Sequence, residues 1–291
     1  MIIVKLKGGM GNQMFQYALG RALSIKYGVP LGLDLAFLLD RTPRSNFTFR
    51  NYDLDVFKIK ADIVPQSKIP FIYRKFKSKI GLLIDFLRRK YFKLPGVEKK
   101  FNFDSSILNI GPNAYLDGYW QTEKYFNNIE DVLRSEFSIK VDLSIEAINI
   151  CEKIKSCEAI SLHIRRGDYY SNKNTNEILG LCPLSYYKDA VNLIIQKVKN
   201  PSFFIFSDDI DWCKNNLKID NTLFFVGGLK DYEDLILMSK CKHNIIANSS
   251  FSWWGGWLNS NKNKIVIAPK KWYNSKNFNS EDLIPDYWIK I

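Results

Sequence analysis

The feature that most restricts the fold is an alternation in the second half of the chain. Apolar runs at Ala159 to Ile164, Ser202 to Phe206, Thr222 to Val226, His243 to Ala247 and Lys264 to Ala268 read as strands. Between them, helical patterns occupy Leu184 to Lys199, Asp231 to Cys241 and Ser250 to Asn259. Strands alternating with helices imply a parallel sheet wrapped by helices. Such sheets bind ligands beyond the carboxyl ends of their strands, so the residues that follow each run are where chemistry is to be sought.

The first half opens in the same manner. Ile2 to Lys5 reads as a strand, "KGGMGNQ" as a glycine turn, and about Asn12 to Tyr27 as a helix. In that helix Met14, Ala18, Ala22 and Phe15, Leu19, Leu23 recur at spacing four and make one apolar face. Gly28 stops it and Val29 to Asp34 returns as a strand. Further on, "NAYLDGYW" reads as a strand and "EKYFNNIEDVLRSEF" as a helix. A chain of 291 residues exceeds the usual size of one domain. The expected division is 1–150, with a basic helical insertion at about 65–100, and 151–291.

Several function classes drop out. The chain runs from its first strand straight into glycines, unlike a signal peptide, and no apolar run approaches the ~20 residues of a membrane-spanning helix. Five scattered cysteines without a CxxC pair argue against a disulfide framework or zinc knuckle and for a reducing cytoplasm. Only two histidines, His163 and His243, are present, so a histidine-rich metal site and a Ser-His-Asp triad have no support. The net charge of +12 suggests nucleic acid at first sight. Much of it, however, sits between Lys68 and Lys100, interleaved with Phe71, Tyr73, Phe76, Leu83, Phe86 and Tyr91. A basic amphipathic segment of this kind reads either as a peripheral contact with an anionic membrane, at its inner face, or as a solvated helical insertion. No RNA-recognition or helix-turn-helix signature accompanies it.

Four stretches carry chemistry. In the glycine turn, Gly8, Gly9 and Gly11 stand between strand and helix, where backbone amides can approach an anion. Gly9-x-Gly11 resembles a dinucleotide fingerprint, but Met14 stands where the third glycine would be, and Asp34 lies at about the ribose-reading distance. A plain tight turn is the competing reading. In "HIRRGDYY" a strand delivers His163, Arg165, Arg166 and Asp168 to its end. A guanidinium is a planar fork suited to phosphate and carboxylate oxygens. Strand alternation would aim the two arginines to opposite sides, one toward a ligand and one toward Asp168 or the loop. The other reading is an arginine–aspartate pair that ties down a loop. "NIIANSSFSWWGGWL" supplies Asn248, Ser249, Ser250 and Ser252 at a helix start, as anion ligands or as helix caps. "FFIFSDDIDW" ends a strand with Asp208 and Asp209, whose carboxylates can accept hydrogen bonds from purine N–H groups or ribose hydroxyls. Asp209-x-Asp211 and Asp53-x-Asp55 also match the Asp-x-Asp pattern of metal-dependent sugar transferases. Two arginines and a helix dipole make that metal redundant for a leaving diphosphate.

Taken together, "GGMGNQMFQYALGRALS", "LDGYWQTEKYF", "HIRRGDY", "FSDD" and "NSSFSWWGGWL" occur in the order and with the spacing seen in bacterial α-1,2-fucosyltransferases. The chain resembles that family along nearly its whole length, the basic segment excepted. The resemblance implies an α/β GT-B fold, two Rossmann-like domains facing across a cleft, and an inverting, metal-independent transfer of L-fucose from GDP-fucose to the 2-hydroxyl of a β-galactoside. No cofactor is implied. The donor is the sugar nucleotide and the acceptor a β-galactoside or a lipid-linked glycan. The resemblance assigns GDP-fucose to the C-terminal half and the acceptor to the N-terminal one. Arg165 would hold the diphosphate, His163 and Asp209 would lie near guanine or ribose, and Ser249 and Ser250 would touch phosphate. Gly11, Asn12 and Gln13 would reach the donor from the opposite side, while Arg166, Asp208 and Asn248 complete the binding set. Arg165, Asp168 and Asn12 are the catalytic candidates. Competing readings are another fucosyl linkage, a nicotinamide-dependent oxidoreductase using the glycine turn and Asp34, and a non-catalytic glycan- or membrane-binding protein.

Overall fold

A computed structural model describes residues 1–44, 47–69, 73, 95–275 and 278–291. Most of the basic segment, and with it the membrane-contact reading, lies outside the described residues. The chain forms two compact units. The first comprises Met1–Pro43 and Phe49–Ser138; the second comprises residues 44–48 and Ile139–Ile291. The helix Ile145–Lys155 runs through residue 150 and belongs wholly to the second unit, so the chain passes from one unit to the other earlier than the expected boundary.

The first unit is built on β1 (Ile2–Lys5), α1 (Met10–Tyr27), β2 (Leu31–Asp34), α2 (Ala36–Leu39), β3 (Asp62–Ile63) and β4 (Ala114–Leu116). Its sheet has the order β3-β2-β1-β4, all parallel. Three apolar residues of β1 are buried, which is why its alternation is weak in sequence. Gly20 lets α1 lie directly on the sheet: a Cβ there would stand 2.4 Å from Val4 Cγ2 and 2.9 Å from Leu31 Cδ1. Gly28, with φ +61°, ends α1 as the sequence predicts. The helix expected over "EKYFNNIEDVLRSEF" is instead two short 3₁₀ turns followed by α3 (Glu130–Glu136). The break falls at Phe126, which is fully buried with φ −145° and ψ +10° and so leaves the helical path.

The second unit carries α4 (Ile145–Lys155), β5 (Glu158–Ile164), α5 (Gly167–Ser171), α6 (Lys173–Leu179), α7 (Leu184–Ile195), β6 (Pro201–Ser207), α8 (Ile210–Asn216) and β7 (Thr222–Val226). There follow α9 (Asp231–Lys240), β8 (His243–Ile245), α10 (Ser250–Leu258), β9 (Val266–Ala268) and β10 (Ile289–Lys290). All five expected strands and all three expected helices are present. Its sheet runs β10-β9-β8-β5-β6-β7, entirely parallel. Counted within each unit, both sheets follow the doubly wound order, in which the first strand sits between the second and the fourth. The residues of β5 divide by strand alternation. Ile160, Leu162 and Ile164 pack against Tyr187, Val191 and Ile194 of α7, whereas Ala159 joins Phe204, Leu237 and Met238 on the opposite face. His163, two residues beyond Ser161 on that second face, is thereby carried to the strand end beneath α10. Each unit is thus a Rossmann-like α/β layer structure with a crevice where its strand order reverses: β1/β4 in the first unit, β5/β8 in the second.

Candidate active site

In the second unit the crevice between β5 and β8 is lined by the residues that leave those strands. Register does the assembly. Ile164 pairs with Ser207, so Arg165 and Arg166 leave β5 beside Asp208 and Asp209 leaving β6. Arg165 is held by two carboxylates, Nη2 to Asp168 Oδ1 at 2.6 Å and Nη1 to Asp208 Oδ2 at 2.9 Å, with its guanidinium 5.4 Å from the Tyr169 ring. Burial by itself would lower the guanidinium pKa, but the charges of Asp208 and Asp168 outweigh it and hold the pKa above its ordinary value. Arg166 takes a different environment. Its Nε donates to Asp209 Oδ2 at 2.9 Å, and its plane lies 4.1 Å from the Trp212 ring. The Arg166 hydrogen bond depresses the Asp209 pKa, and the Asp209 carboxylate also accepts from Trp212 N to cap α8. Asp208 Oδ1 accepts from Arg166 N at 2.8 Å. Gly167 permits this close approach, since a Cβ there would stand 2.4 Å from Asp208 Oδ2. Both arginines therefore carry acidic partners. β5 ends at Ile164, before both arginines; Asp168 and Asp208 hold Arg165, while Asp209 and the Trp212 ring hold Arg166.

His163 lies beneath this cluster, only 4% exposed and 5.8 Å from the Phe251 ring. Burial first, and then the charge of Arg165, push its pKa down to about 3, so the imidazole is neutral. Its Nδ1 has no hydrogen-bond partner. On the β8 side, Ser249 precedes the first turn of α10 without a side-chain capping bond, so the capping reading does not hold for it. Ser252 donates to the Ser249 carbonyl. Asn248 is differently used from expectation. Its Nδ2 donates to the carbonyls of Leu179, Gly180 and Trp272 at 2.9, 3.2 and 3.1 Å, and its Oδ1 accepts from the Cys182 thiol at 3.3 Å. The amide is a clip holding the segment after α6, with no donor left over for a ligand. Tyr169 closes the ring by donating to the Asn248 carbonyl.

Gly11, Asn12 and Gln13 belong to the first unit's own crevice. Gly8, with φ +79°, turns the chain out of β1, and Gly11 is buried in the first turn of α1. Asn12 is partly exposed and accepts from Gln121 Nε2 at 2.7 Å, which ties the β1 exit to the segment after β4. Gln13 is wholly buried. Its Nε2 reaches Gly8 O, Asn51 O and Asp53 Oδ2, and its Oε1 accepts from Asp53 N. Gln13 thus pins a loop rather than presenting an amide to a ligand, and Asp53 of one Asp-x-Asp pair is part of that pin. Asp34 accepts from the Tyr115 hydroxyl and from Ala36 N. Among the described residues no group of three or more metal-ligating side chains is assembled.

The sequence reading missed Trp212 as the stacking partner of Arg166, although it stands in "FFIFSDDIDW". It also missed Asp234, in the first turn of α9 beyond β7. One oxygen of that carboxylate is buried without a hydrogen-bond partner, and burial, followed by the neighbouring Asp231 and Glu233, pushes its pKa up to about 7. No local pattern marks it, because its isolation depends on what packs over it.

Comparison with known proteins follows the same lines. The profile of glycosyl transferase family 11 matches residues 1–291. An Escherichia coli α-1,2-colitosyltransferase is 36% identical, with 100% of this chain and 98% of that protein aligned. The O-antigen biosynthesis glycosyltransferase WbnK of Escherichia coli is 32% identical over 98% of this chain and 99% of its own length. A galactoside α-(1,2)-fucosyltransferase 1 of Aotus azarae is 23% identical over 50% of this chain and 43% of its own.

Proposed function

The chain belongs to glycosyl transferase family 11, and on that premise we propose that it is an inverting fucosyltransferase, moving L-fucose from GDP-fucose to the 2-hydroxyl of a terminal β-galactoside in a glycan. The observation that supports this most is Arg165, a permanently charged fork held at the carboxyl end of β5 at the point where the strand order reverses. Breaking the bond between sugar and diphosphate builds positive charge on the sugar and negative charge on GDP. A fixed guanidinium whose attraction grows with that charge lowers the barrier. The Ser249 and Ser250 hydroxyls and the amides of the α10 start suit the same diphosphate.

Asp168 is the catalytic-base candidate. It sits on α5 with Oδ1 2.6 Å from Arg165 Nη2, so an incoming diphosphate competes with Asp168 for that guanidinium. The displaced carboxylate then becomes able to accept the proton of the galactose hydroxyl. The reaction proceeds by attack of that hydroxyl on the anomeric carbon as the bond to the diphosphate breaks, and GDP leaves with the bonding electrons. The name of the 36%-identical relative favours a second donor, colitose, which is fucose without its 3-hydroxyl. A site that hydrogen-bonds this hydroxyl rejects the analogue lacking it by on the order of 10⁴-fold. GDP release measured with GDP-fucose and GDP-colitose over a panel of β-galactosides tests both readings. Acceptor-dependent turnover of GDP-fucose supports the first, turnover of GDP-colitose alone moves the assignment to the second, and turnover of neither removes both.

A further inference from the structure

We propose that the amino edge of the second sheet holds a separate binding site for a phosphate-bearing anion, at the opposite end of the strands from Arg165. Glu158 begins β5, Pro201 begins β6 and His243 begins β8. The seven residues of β5, or roughly 20 Å, lie between this edge and the arginines. A cavity of about 840 Å³ opens there, walled by Lys155, Lys197, Lys199, Lys242, Glu158 and His243. Its volume is in the range of small-ligand pockets. The inference does not depend on the proposed reaction.

The charge of the wall decides the class of ligand. Glu158 is its single carboxylate, against four lysines. Lys242 is paired with Glu158, and Lys155 is paired with Glu152 at 2.7 Å in the last turn of α4, where it also complements the helix dipole. Lys197 and Lys199, in the turn between α7 and β6, have no carboxylate partner among the described residues. Both are exposed, while Val198 between them is buried against the α7 face of the sheet and fixes the turn that carries them. Lysines alone would make an ordinary solvated surface, and the buried His243 makes the difference. It stands two residues before Ile245 on that same face, is 7% exposed, and accepts at Nδ1 from Ile265 N at 2.9 Å. Burial lowers its pKa, so near neutrality the ring keeps one proton, and the bond at Nδ1 places that proton on Nε2. Among the described residues Nε2–H has no acceptor, although His243 lines the cavity. A fixed donor left over beside two unpaired ammonium groups suits the oxygens of a phosphate, and a cation would be repelled. Two sources carry this chemistry, a soluble phosphate compound and the headgroup of an anionic lipid.

The test is nuclear magnetic resonance of the two imidazole side chains, which report separate places: His243 this cavity, His163 the crevice beneath Arg165. The full chain is titrated with pyrophosphate at physiological ionic strength, as the wild type and as the double variant Lys197→Gln, Lys199→Gln. A saturable shift of the His243 signal is expected, with affinity at least tenfold weaker in the double variant, while the melting temperature and the His163 response hold. A His243 signal that does not move, a change confined to His163, or equal affinity in the double variant overturns the proposal. Co-sedimentation with vesicles of phosphatidylglycerol and phosphatidylcholine in equal parts then separates the sources. Sedimentation lost in the double variant assigns the site to a lipid headgroup, and sedimentation absent or equal in the two proteins assigns it to a soluble phosphate compound. The His243 signal requires no turnover, so failure of GDP-fucose as a donor would count against the proposed reaction and leave this result readable.

Discussion

Two carboxylates hold Arg165, one from the neighbouring strand and one from the short helix that follows its own strand. That arrangement fixes the guanidinium before any ligand arrives, and it sets two expectations. Arg165→Ala should lower kcat by on the order of 10²–10³-fold, as loss of one fixed charge-stabilising donor does, and Arg165→Lys should recover only part because an ammonium lacks the bidentate fork. Steady-state GDP release, with melting curves to confirm the fold, checks both. His163 gives a pH signature. Its folded pKa of about 3 lies below the ~6.5 of an unfolded histidine, so above ~6.5 the ring is neutral in both states and costs nothing. As pH falls from ~6.5 toward 3, the unfolded chain takes up a proton that the fold refuses, and stability is lost at up to ~1.4 kcal/mol per pH unit. Denaturant unfolding between pH 7 and 4 should show this slope, reduced in His163→Phe.

At the scale of elements, the strands and helices of the second unit were legible because their apolar runs are long and bounded by turn residues. β3 and β10 were not, each being two residues long and defined by its neighbour rather than by its own pattern. α5 and α6 were equally hidden, since "GDYYSNKNTNEIL" has no apolar face and is held by contacts from elsewhere. The clearest of these is Asn248, whose sequence position beside Ser249 suggests a ligand contact and whose geometry shows a clip. Gln13 repeats the lesson in the first unit: an amide at a glycine turn looks available until the loop from Asn51 to Asp53 folds over it. Asn248→Asp keeps the shape and removes the three donated bonds. It should cost roughly 2–4 kcal/mol, given ~1 kcal/mol net per hydrogen bond plus the cost of stranded carbonyls. A denaturant midpoint unchanged from wild type would contradict the clip.

For the whole molecule, the two-unit α/β organisation followed from length and from the strand–helix alternation, and the family from the order of five motifs. The donor and acceptor were not legible, because they depend on side chains that converge from separate loops. Among the described residues no helix is long and apolar enough to cross a membrane. The proposed reaction neutralises its leaving diphosphate with Arg165 and helix N–H groups, so activity should persist in excess EDTA. Loss in EDTA with recovery in Mn²⁺ would transfer that role to a metal held by an Asp-x-Asp pair. The most direct measurement is nuclear magnetic resonance of the product formed from GDP-fucose and a β-galactoside by the wild type and by Arg165→Ala. The account predicts α-L-fucose on the 2-hydroxyl of the terminal galactose, formed by the wild type and nearly absent with the variant. A β-linked product, attachment at another hydroxyl, or equal yield from the variant would contradict it.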